Sequence, residues 1–128
     1  MKYALLILSS ANHSSSESAF RFAQAAIAAG HEVERVFFYA DGALQASKLQ
    51  QPAQGFEPIF LRWQQLSEEH NIDLVVCIAA ALKRGICDEQ EAERYNLPAA
   101  NLASGFSLSG LGQLVDSAIN SERVITFG

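Results

Sequence analysis

The sequence contains few of the residues from which disulfide frameworks and metal sites are built. It has two cysteines, Cys77 and Cys87, which stand ten positions apart rather than in a C-x-x-C pair. No histidine cluster at metal-ligand spacing accompanies them, so a metal site is not expected. Two cysteines and no evident signal peptide suit a reducing compartment. We therefore expect free thiols and a cytoplasmic protein.

Positive charge is scarce as well. Nine lysines and arginines stand against fourteen aspartates and glutamates, which gives a formal net charge of -5. Direct binding of nucleic acid normally requires a basic face, so we do not expect this protein to contact nucleic acid itself.

Long apolar runs are also missing, which argues against a membrane protein. The opening MKYALLILSS has an apolar run too short for a signal peptide and no clear cleavage site after it, so it predicts a first strand. With 49% hydrophobic and 18% charged residues, the chain has a globular composition. Its length predicts one domain over residues 1–128.

Phosphate-binding signatures are absent from the serine-rich loop Ser9–Ser16. Neither G-x-G-x-x-G nor G-x-x-x-x-G-K-[ST] occurs there. Ser14 and Glu17 have the spacing of a capping box and predict a helix start, with His13 exposed in the loop before it. A flavodoxin-like phosphate or flavin site at Ser9–Ser16 is the alternative interpretation.

Short apolar runs alternate with helical patterns along the whole chain. Such βαβ units predict an α/β fold, namely a three-layer α/β/α domain with a mainly parallel central sheet of about five strands. The glycine- and serine-rich segment Ser104–Ser109 predicts a turn. The predicted strands are Lys2–Leu8, Glu32–Tyr39, Leu74–Val76, Leu97–Leu102 and Arg123–Phe127.

The helices between these strands have recognisable starting signals. Asp41 is expected to cap a short helix over Ala43–Leu49. Asp88 and Glu91 repeat the capping-box spacing. Two further helices are predicted, one from Pro58 to about Glu69 and one over the segment SGLGQLVDSAI.

The segment DLVVCIAAALKRG, from Asp73 to Gly85, carries the candidate chemistry. It predicts a buried strand with Cys77 at its carboxyl end, followed by a helix, and ligands collect at that edge of an open parallel sheet. A free cysteine has a pKa near 8.5, which a helix amino terminus or a nearby cation lowers. Lys83 and Arg84 are the candidate cations.

Each cysteine also has a plainer interpretation. Cysteine is often buried, so Cys77 could be a small core residue. Cys87 could be an inert, partly buried residue or a resolving thiol for Cys77.

Several motifs together resemble one known family. They stand in the order VFFY, WQQL, CIAAALKRGICDEQEAER, NL and GFSLSGLGQL, and they begin at Val36, Trp63, Cys77, Asn101 and Gly105. In this order they resemble the DsrE/DsrF-like family of sulfur-relay proteins, nearly from end to end.

The resemblance implies that Cys77 is the active cysteine and holds sulfur as a persulfide. It would take sulfur from a TusA-like donor and pass it to a TusE-like acceptor for 2-thiolation of the tRNA wobble uridine. It also implies a heterohexamer with TusB-like and TusC-like subunits. Persulfide transfer needs no cofactor. The alternative is a non-catalytic interaction subunit of the same assembly.

Overall fold

Five parallel strands form one sheet in the computed structural model, which describes residues 1–128. The strands are ordered β4-β3-β2-β1-β5 and every neighbouring pair is parallel. The prediction of a mainly parallel sheet of about five strands is therefore confirmed. The strands are β1 (Lys2–Ile7), β2 (Glu32–Phe38), β3 (Asp73–Cys77), β4 (Phe106–Ser109) and β5 (Arg123–Phe127).

Five α-helices and one 3₁₀ helix connect the strands. The α-helices are α1 (Ser14–Ala28), α2 (Ile59–His70), α3 (Ile78–Lys83), α4 (Glu89–Arg94) and α5 (Gly112–Asn120), and the 3₁₀ helix η1 spans Ala40–Ala46. None of these helices is long and apolar enough to cross a membrane.

The helices lie on both faces of the sheet. Phe20 of α1 packs edge-on against Trp63 of α2 at 4.9 Å, and Trp63 packs against Phe38 of β2 at 5.8 Å between ring centroids. Arg35, three positions before Phe38, therefore points to the opposite face. There it binds α5, which makes this a three-layer fold.

Arg35 is the anchor that holds α5 on its face. Its guanidinium donates to the Asp73 carboxylate at 2.8 Å, the Asp116 carboxylate at 3.1 Å, the Gln113 carbonyl at 2.9 Å and the Ser117 hydroxyl at 3.1 Å. Burial alone would lower the pKa of Arg35, but the hydrogen bonds that it donates to the Asp73 and Asp116 carboxylates raise it. Arg35 therefore stays charged.

The predicted strand over Leu97–Leu102 is wrong. That segment has only an isolated bridge from Leu102 to Ser47, and the fourth strand is Phe106–Ser109, which the sequence assigned to a turn. Phe106 pairs with Leu74 of β3 and packs on Phe38 at 5.4 Å. Tertiary packing thus overrides the local turn propensity of a serine-rich segment.

The predicted caps of α1 and η1 are also wrong. His13 caps α1, because its Nδ1 accepts from the Ser15 N–H at 3.1 Å, while Ser14 is already helical. Asp41 lies inside η1, and the residue at its N-cap, Tyr39, makes no side-chain capping bond. The N-cap of each helix is thus set by where the backbone turns from extended to helical, and not by residue type alone.

At α4 the predicted capping box is half formed. The Asp88 carboxylate caps the helix by accepting from the Glu91 N–H at 2.9 Å. The Glu91 carboxylate, however, makes no hydrogen bond to the Asp88 N–H, so the reciprocal half of the box is missing.

The Glu17 carboxylate, predicted to close the box at α1, instead joins α1 to α2. Arg62 donates to both of its oxygens, at 2.6 and 2.9 Å, and Arg21 donates at 3.1 Å. The hydrogen bonds from Arg62, the largest cause, lower the pKa of Glu17 from 4.5 to about 2. The pair links the two helices on one face.

Replacing Glu17 with Gln should lower the free energy of unfolding at neutral pH by about 1 kcal/mol, a value discounted because the side chain is 40% exposed. The folded-state pKa lies below the unfolded one, so this contribution is complete above about pH 4.5 and is lost as the pH falls through about 2. Urea unfolding of both proteins across that range is the measurement. Glu68→Gln on exposed α2 surface is the control, and a wild-type advantage that persists at the acid end would contradict the assignment.

Candidate active site at Cys77

Cys77 ends β3 and stands at the N-cap of α3. The strand end and the helix start predicted from the sequence are thus both present. Residue 77 is 3% exposed, and its thiol makes no hydrogen bond. The unpaired N–H groups of the first turn of α3 follow directly, and such groups favour an anion.

The register of the sheet places Cys77 on the α5 side. Leu74 pairs with Val36, which shares a face with Phe38, and Cys77 lies three positions further along β3 and so on the opposite face. Its partner in β4 is Ser109, the last residue of that strand. The connection from β4 to α5 therefore begins beside Cys77.

The 3₁₀ helix η1 closes the carboxyl edge of the sheet next to this position. Gly42 approaches the end of β1 so closely that a Cβ built there would lie 2.1 Å from the Ile7 carbonyl oxygen. Gln45, fully buried, donates to the Ser9 carbonyl at 2.9 Å and accepts from the Trp63 indole N–H at 3.1 Å. These contacts fix η1, which packs against both β3 and α3.

Lys83 and Arg84 lie at the far end of α3 from the thiol. Lys83 stands six positions after Cys77, which corresponds to a rise of about 9 Å along a helix. Lys83 is exposed and forms no ion pair. Arg84 donates to the Asp41 carboxylate at 2.9 Å and to the Ala80 carbonyl at 3.1 Å, so it ties α3 to η1. A role of either residue as thiolate stabiliser stays a prediction.

Cys87 is equally buried but differently bonded. Its thiol donates to the Ala99 carbonyl at 3.2 Å, and its N–H donates to the Asn101 side-chain oxygen at 3.0 Å. Its carbonyl accepts from the N–H groups of Asn101 and Leu102. These hydrogen bonds tie Cys87 to the segment 99–102 that follows α4, which favours the inert interpretation. Neither cysteine forms a disulfide.

Several hydroxyls of the serine-rich loop form hydrogen bonds within the loop and at the start of α1. The Ser9 and Ser15 hydroxyls bond to each other, and the Ser16 hydroxyl donates to the carbonyls of Ala11 and His13. A cavity of about 490 Å³ lies beside the loop, and its only charged lining residue is Glu57. A carboxylate in the lining, with no cation beside it, does not suit a phosphate, so this arrangement argues against the flavodoxin-like alternative.

Sequence reasoning placed Cys77 between a strand and a helix but missed the residues that hold its surroundings. Gly42, Gln45 and the Asp41–Arg84 pair act through contacts between elements distant in the chain, and no local pattern signals them. The one weak signal in the sequence is Gln45, a polar residue in the otherwise small and apolar segment GALQA.

Comparison with known proteins identifies the family. The model of the DsrE/DsrF-like family matches residues 1–127. A protein named putative sulfurtransferase DsrE from Allochromatium vinosum is 47% identical, with 100% of this chain and 99% of that protein covered. Proteins named sulfurtransferase TusD are 51% identical in Serratia proteamaculans, over 86% of this chain and 85% of theirs, and 45% identical in Yersinia pestis, over 99% and 98%.

A solved structure shares the fold. The crystal structure of the YchN protein from E. coli superposes with a TM-score of 0.74 and covers 99% of this chain and 100% of that one. The two sequences are 18% identical, so the likeness supports the fold alone.

Replacing Gly42 with Ala should lower the free energy of unfolding by about 2 kcal/mol or more, because the added methyl group collides with the backbone of Ile7 and not with a flexible side chain. Urea unfolding measures the loss. Gly110→Ala is the matched control: nothing lies within 4 Å of its Cβ position, and we expect a change within about 0.5 kcal/mol. Equal midpoints for the Gly42 variant and wild type would show that η1 is not tightly seated.

Proposed function

The chain belongs to the DsrE/DsrF-like family, and from this premise we propose that it is a sulfurtransferase that carries sulfur as a persulfide on Cys77. The observation that carries the proposal is the placement of Cys77 at a strand end and helix start with an unbonded thiol. Cys87 donates its S–H to a carbonyl and is therefore the weaker candidate. The relatives named DsrE and TusD have sulfur transfer in common.

The chemistry is an exchange of sulfur between thiols. The Cys77 thiolate attacks the outer sulfur of a donor persulfide, the donor S–S bond breaks, and the donor leaves as a thiolate that takes up a proton. A thiol and a persulfide thus give a persulfide and a thiol, without net oxidation. The same exchange in the second step passes the sulfur to an acceptor thiol. The first N–H groups of α3 would stabilise the thiolate, with Lys83 and Arg84 adding positive charge from further away.

The finer roles follow the family resemblance. We propose a TusA-like protein as sulfur donor and a TusE-like protein as acceptor, in a cytoplasmic relay that ends in 2-thiolation of the tRNA wobble uridine. The net charge of -5 supports the proposal that this chain exchanges sulfur with other proteins and that a later enzyme contacts the RNA.

The outer surface of α5 supports a place in a larger assembly. Its inner side is bound to Arg35, whereas Leu111, Val115 and Ile119 form a stripe at four-residue spacing and are 48%, 59% and 75% exposed. Contiguous exposed apolar side chains mark interaction surfaces. We propose that this stripe packs against TusB-like or TusC-like subunits of a heterohexamer.

One observation favours the second candidate, a non-catalytic interaction subunit. Cys77 is 3% exposed, whereas sulfur exchange requires the donor sulfur to approach the thiol in line. In the sulfurtransferase proposal, partner binding has to open the region around Ser109. In the interaction-subunit proposal, the region around Ser109 stays closed and Cys77 stays buried.

Cys77→Ser should abolish sulfur loading while leaving the fold intact, because serine is close in size but cannot form a persulfide. The assembled complex is incubated with a cysteine desulfurase, cysteine and the TusA-like donor, and peptide mass spectrometry locates the added sulfur. Cys87→Ser is the matched control and should load like wild type. Sulfur on the Cys87 peptide alone would move the site, and no loading of the wild-type complex would favour the interaction subunit.

Replacing both Val115 and Ile119 with Asn should weaken assembly with the sister subunits at least about tenfold, because the substitution puts amides into an apolar contact. Stability of the isolated chain should change by less than about 1 kcal/mol, since both side chains are exposed. Size-exclusion chromatography with light scattering measures assembly. The control is Leu61→Asn on α2, an exposed leucine on the other face; an unchanged complex in the α5 variant would rule the stripe out as an interface.

A further inference from the structure

The residue paired with Cys77 in the neighbouring strand carries a hydroxyl group. Ser109 of β4 stands beside Cys77 of β3 in the parallel register, whereas the pairing of β2 with β3 ends one position earlier, at Phe38 and Val76. Paired residues of neighbouring parallel strands point to the same face of the sheet, and such strands lie about 4.8 Å apart. The Ser109 side chain therefore lies next to that of Cys77, on the α5 side of the sheet.

The Ser109 hydroxyl is free to bind another group. It forms no hydrogen bond within the chain, and Ser109 is half-buried. The only fully buried side-chain oxygen or nitrogen that lacks a partner belongs to Glu91, so the unbonded Ser109 hydroxyl is accessible to solvent. A serine side chain has three staggered positions about its Cα–Cβ bond, and one rotation can turn the hydroxyl towards its neighbour in the next strand.

A neutral thiol at Cys77 accounts for a hydroxyl that stays unbonded beside it. The S–H group is a weak acceptor, so Ser109 gains little from that contact. A thiolate or a persulfide anion is a charged acceptor, and a hydrogen bond to it is roughly twice as strong as one between neutral groups. Cys77 is 3% exposed, so water stabilises charge on its sulfur poorly and a side-chain donor contributes correspondingly more.

The other groups that favour negative charge at Cys77 leave room for such a donor. Lys83 and Arg84 lie at the far end of α3, and Arg84 is bound to Asp41. The helix α3 has only six residues, so few peptide dipoles are aligned behind its first N–H groups. A hydroxyl at position 109 adds a donor from the β4 side of the sulfur.

The chain directly after Ser109 leaves space for an incoming sulfur compound. Gly110 and Gly112 have nothing within 4 Å of the position that a Cβ would occupy. The β4 side of Cys77 therefore combines an accessible hydroxyl with open space in the connection to α5.

We propose that the Ser109 hydroxyl donates a hydrogen bond to the Cys77 sulfur whenever that sulfur carries negative charge, and is thus a catalytic residue of the exchange. The proposal rests on the proposed function. In loading, the bond stabilises the Cys77 thiolate that attacks the outer sulfur of the donor. In discharge, an acceptor thiolate attacks the outer sulfur of the Cys77 persulfide, the S–S bond breaks, and its electron pair returns to the Cys77 sulfur, to which Ser109 again donates. Ser109 keeps its proton in both steps.

The test compares Ser109→Ala with Ser109→Thr and Ser107→Ala in the assembled complex. Ser107 is the matched control, because it lies in the same strand and on the same face but pairs with Val75 instead of Cys77. Peptide mass spectrometry follows the rate at which inorganic polysulfide loads Cys77 and the rate at which iodoacetamide alkylates it.

We expect S109A to be about fivefold slower in both reactions. Loss of a hydrogen bond to a charged group lowers the thiolate population, and the higher reactivity of a less stabilised thiolate offsets part of that loss. S109T retains a hydroxyl and should restore at least about half of the wild-type rates, and S107A should stay within about twofold of wild type.

Four outcomes separate the hydroxyl from a structural role and from the proposed function. Rates in S109A that equal or exceed those of wild type would overturn the proposal. An S109T variant as slow as S109A, an equal loss in S107A, or a lower melting temperature of S109A would do the same, since each points to the packing of β4. A wild-type complex whose Cys77 takes no sulfur from polysulfide or from the TusA-like donor would overturn the proposed function and the role of Ser109 with it. Normal loading of Cys77 in both wild type and S109A would overturn only the role of Ser109.

Discussion

The rest of the structure depends on the parallel arrangement of all five strands. Each connection must cross a face of the sheet to begin the next strand, and such crossovers are right-handed. The chain steps in one direction from β1 to β4 and returns once, from β4 to β5, so α1 and α2 share one face and α5 alone covers the other. Arg35 anchors this single helix through two carboxylates, a carbonyl and a hydroxyl. Because the second layer is only one helix thick, the outer side of α5 stays available for contact with other chains.

The same parallel arrangement brings the strand ends together and gives Cys77 its surroundings. The two cysteines show that burial alone does not separate a candidate nucleophile from a structural thiol, since both are 3% exposed. Hydrogen bonding separates them. Cys87 is bonded through its thiol, N–H and carbonyl to the segment around Asn101, whereas the Cys77 thiol is unbonded at the start of α3. The close seating of η1 against Ile7, which only a glycine at position 42 permits, completes that edge of the sheet.

Several of the carboxylates in this acidic chain hold helices and strands together. Glu17 is bound by Arg62, and Asp73 and Asp116 are bound by Arg35, so these carboxylates serve the packing of helices on the sheet. At α4, Asp88 caps the helix and the Glu91 carboxylate lies 4.0 Å from Arg94. Carboxylates without an ion pair occur on more than one element, among them Glu68 on α2 and Glu89 and Glu93 on α4.

The sequence by itself determined the class of fold, four of the five strands and the position of Cys77 between a strand and a helix. Those features come from local patterns: apolar β-branched runs, helix-favouring segments and Gly85 after α3. Tertiary structure decided the rest. Phe106–Ser109 is a strand because Phe106 packs on Phe38 and pairs with Leu74, although its serines favour a turn. His13, and not Ser14, caps α1 because the loop backbone places its ring at the Ser15 N–H. The pairs Arg84–Asp41, Gln45–Trp63 and Glu17–Arg62 join residues 18 to 45 positions apart in the chain. Contacts over such separations exist only once the sheet has brought those segments together.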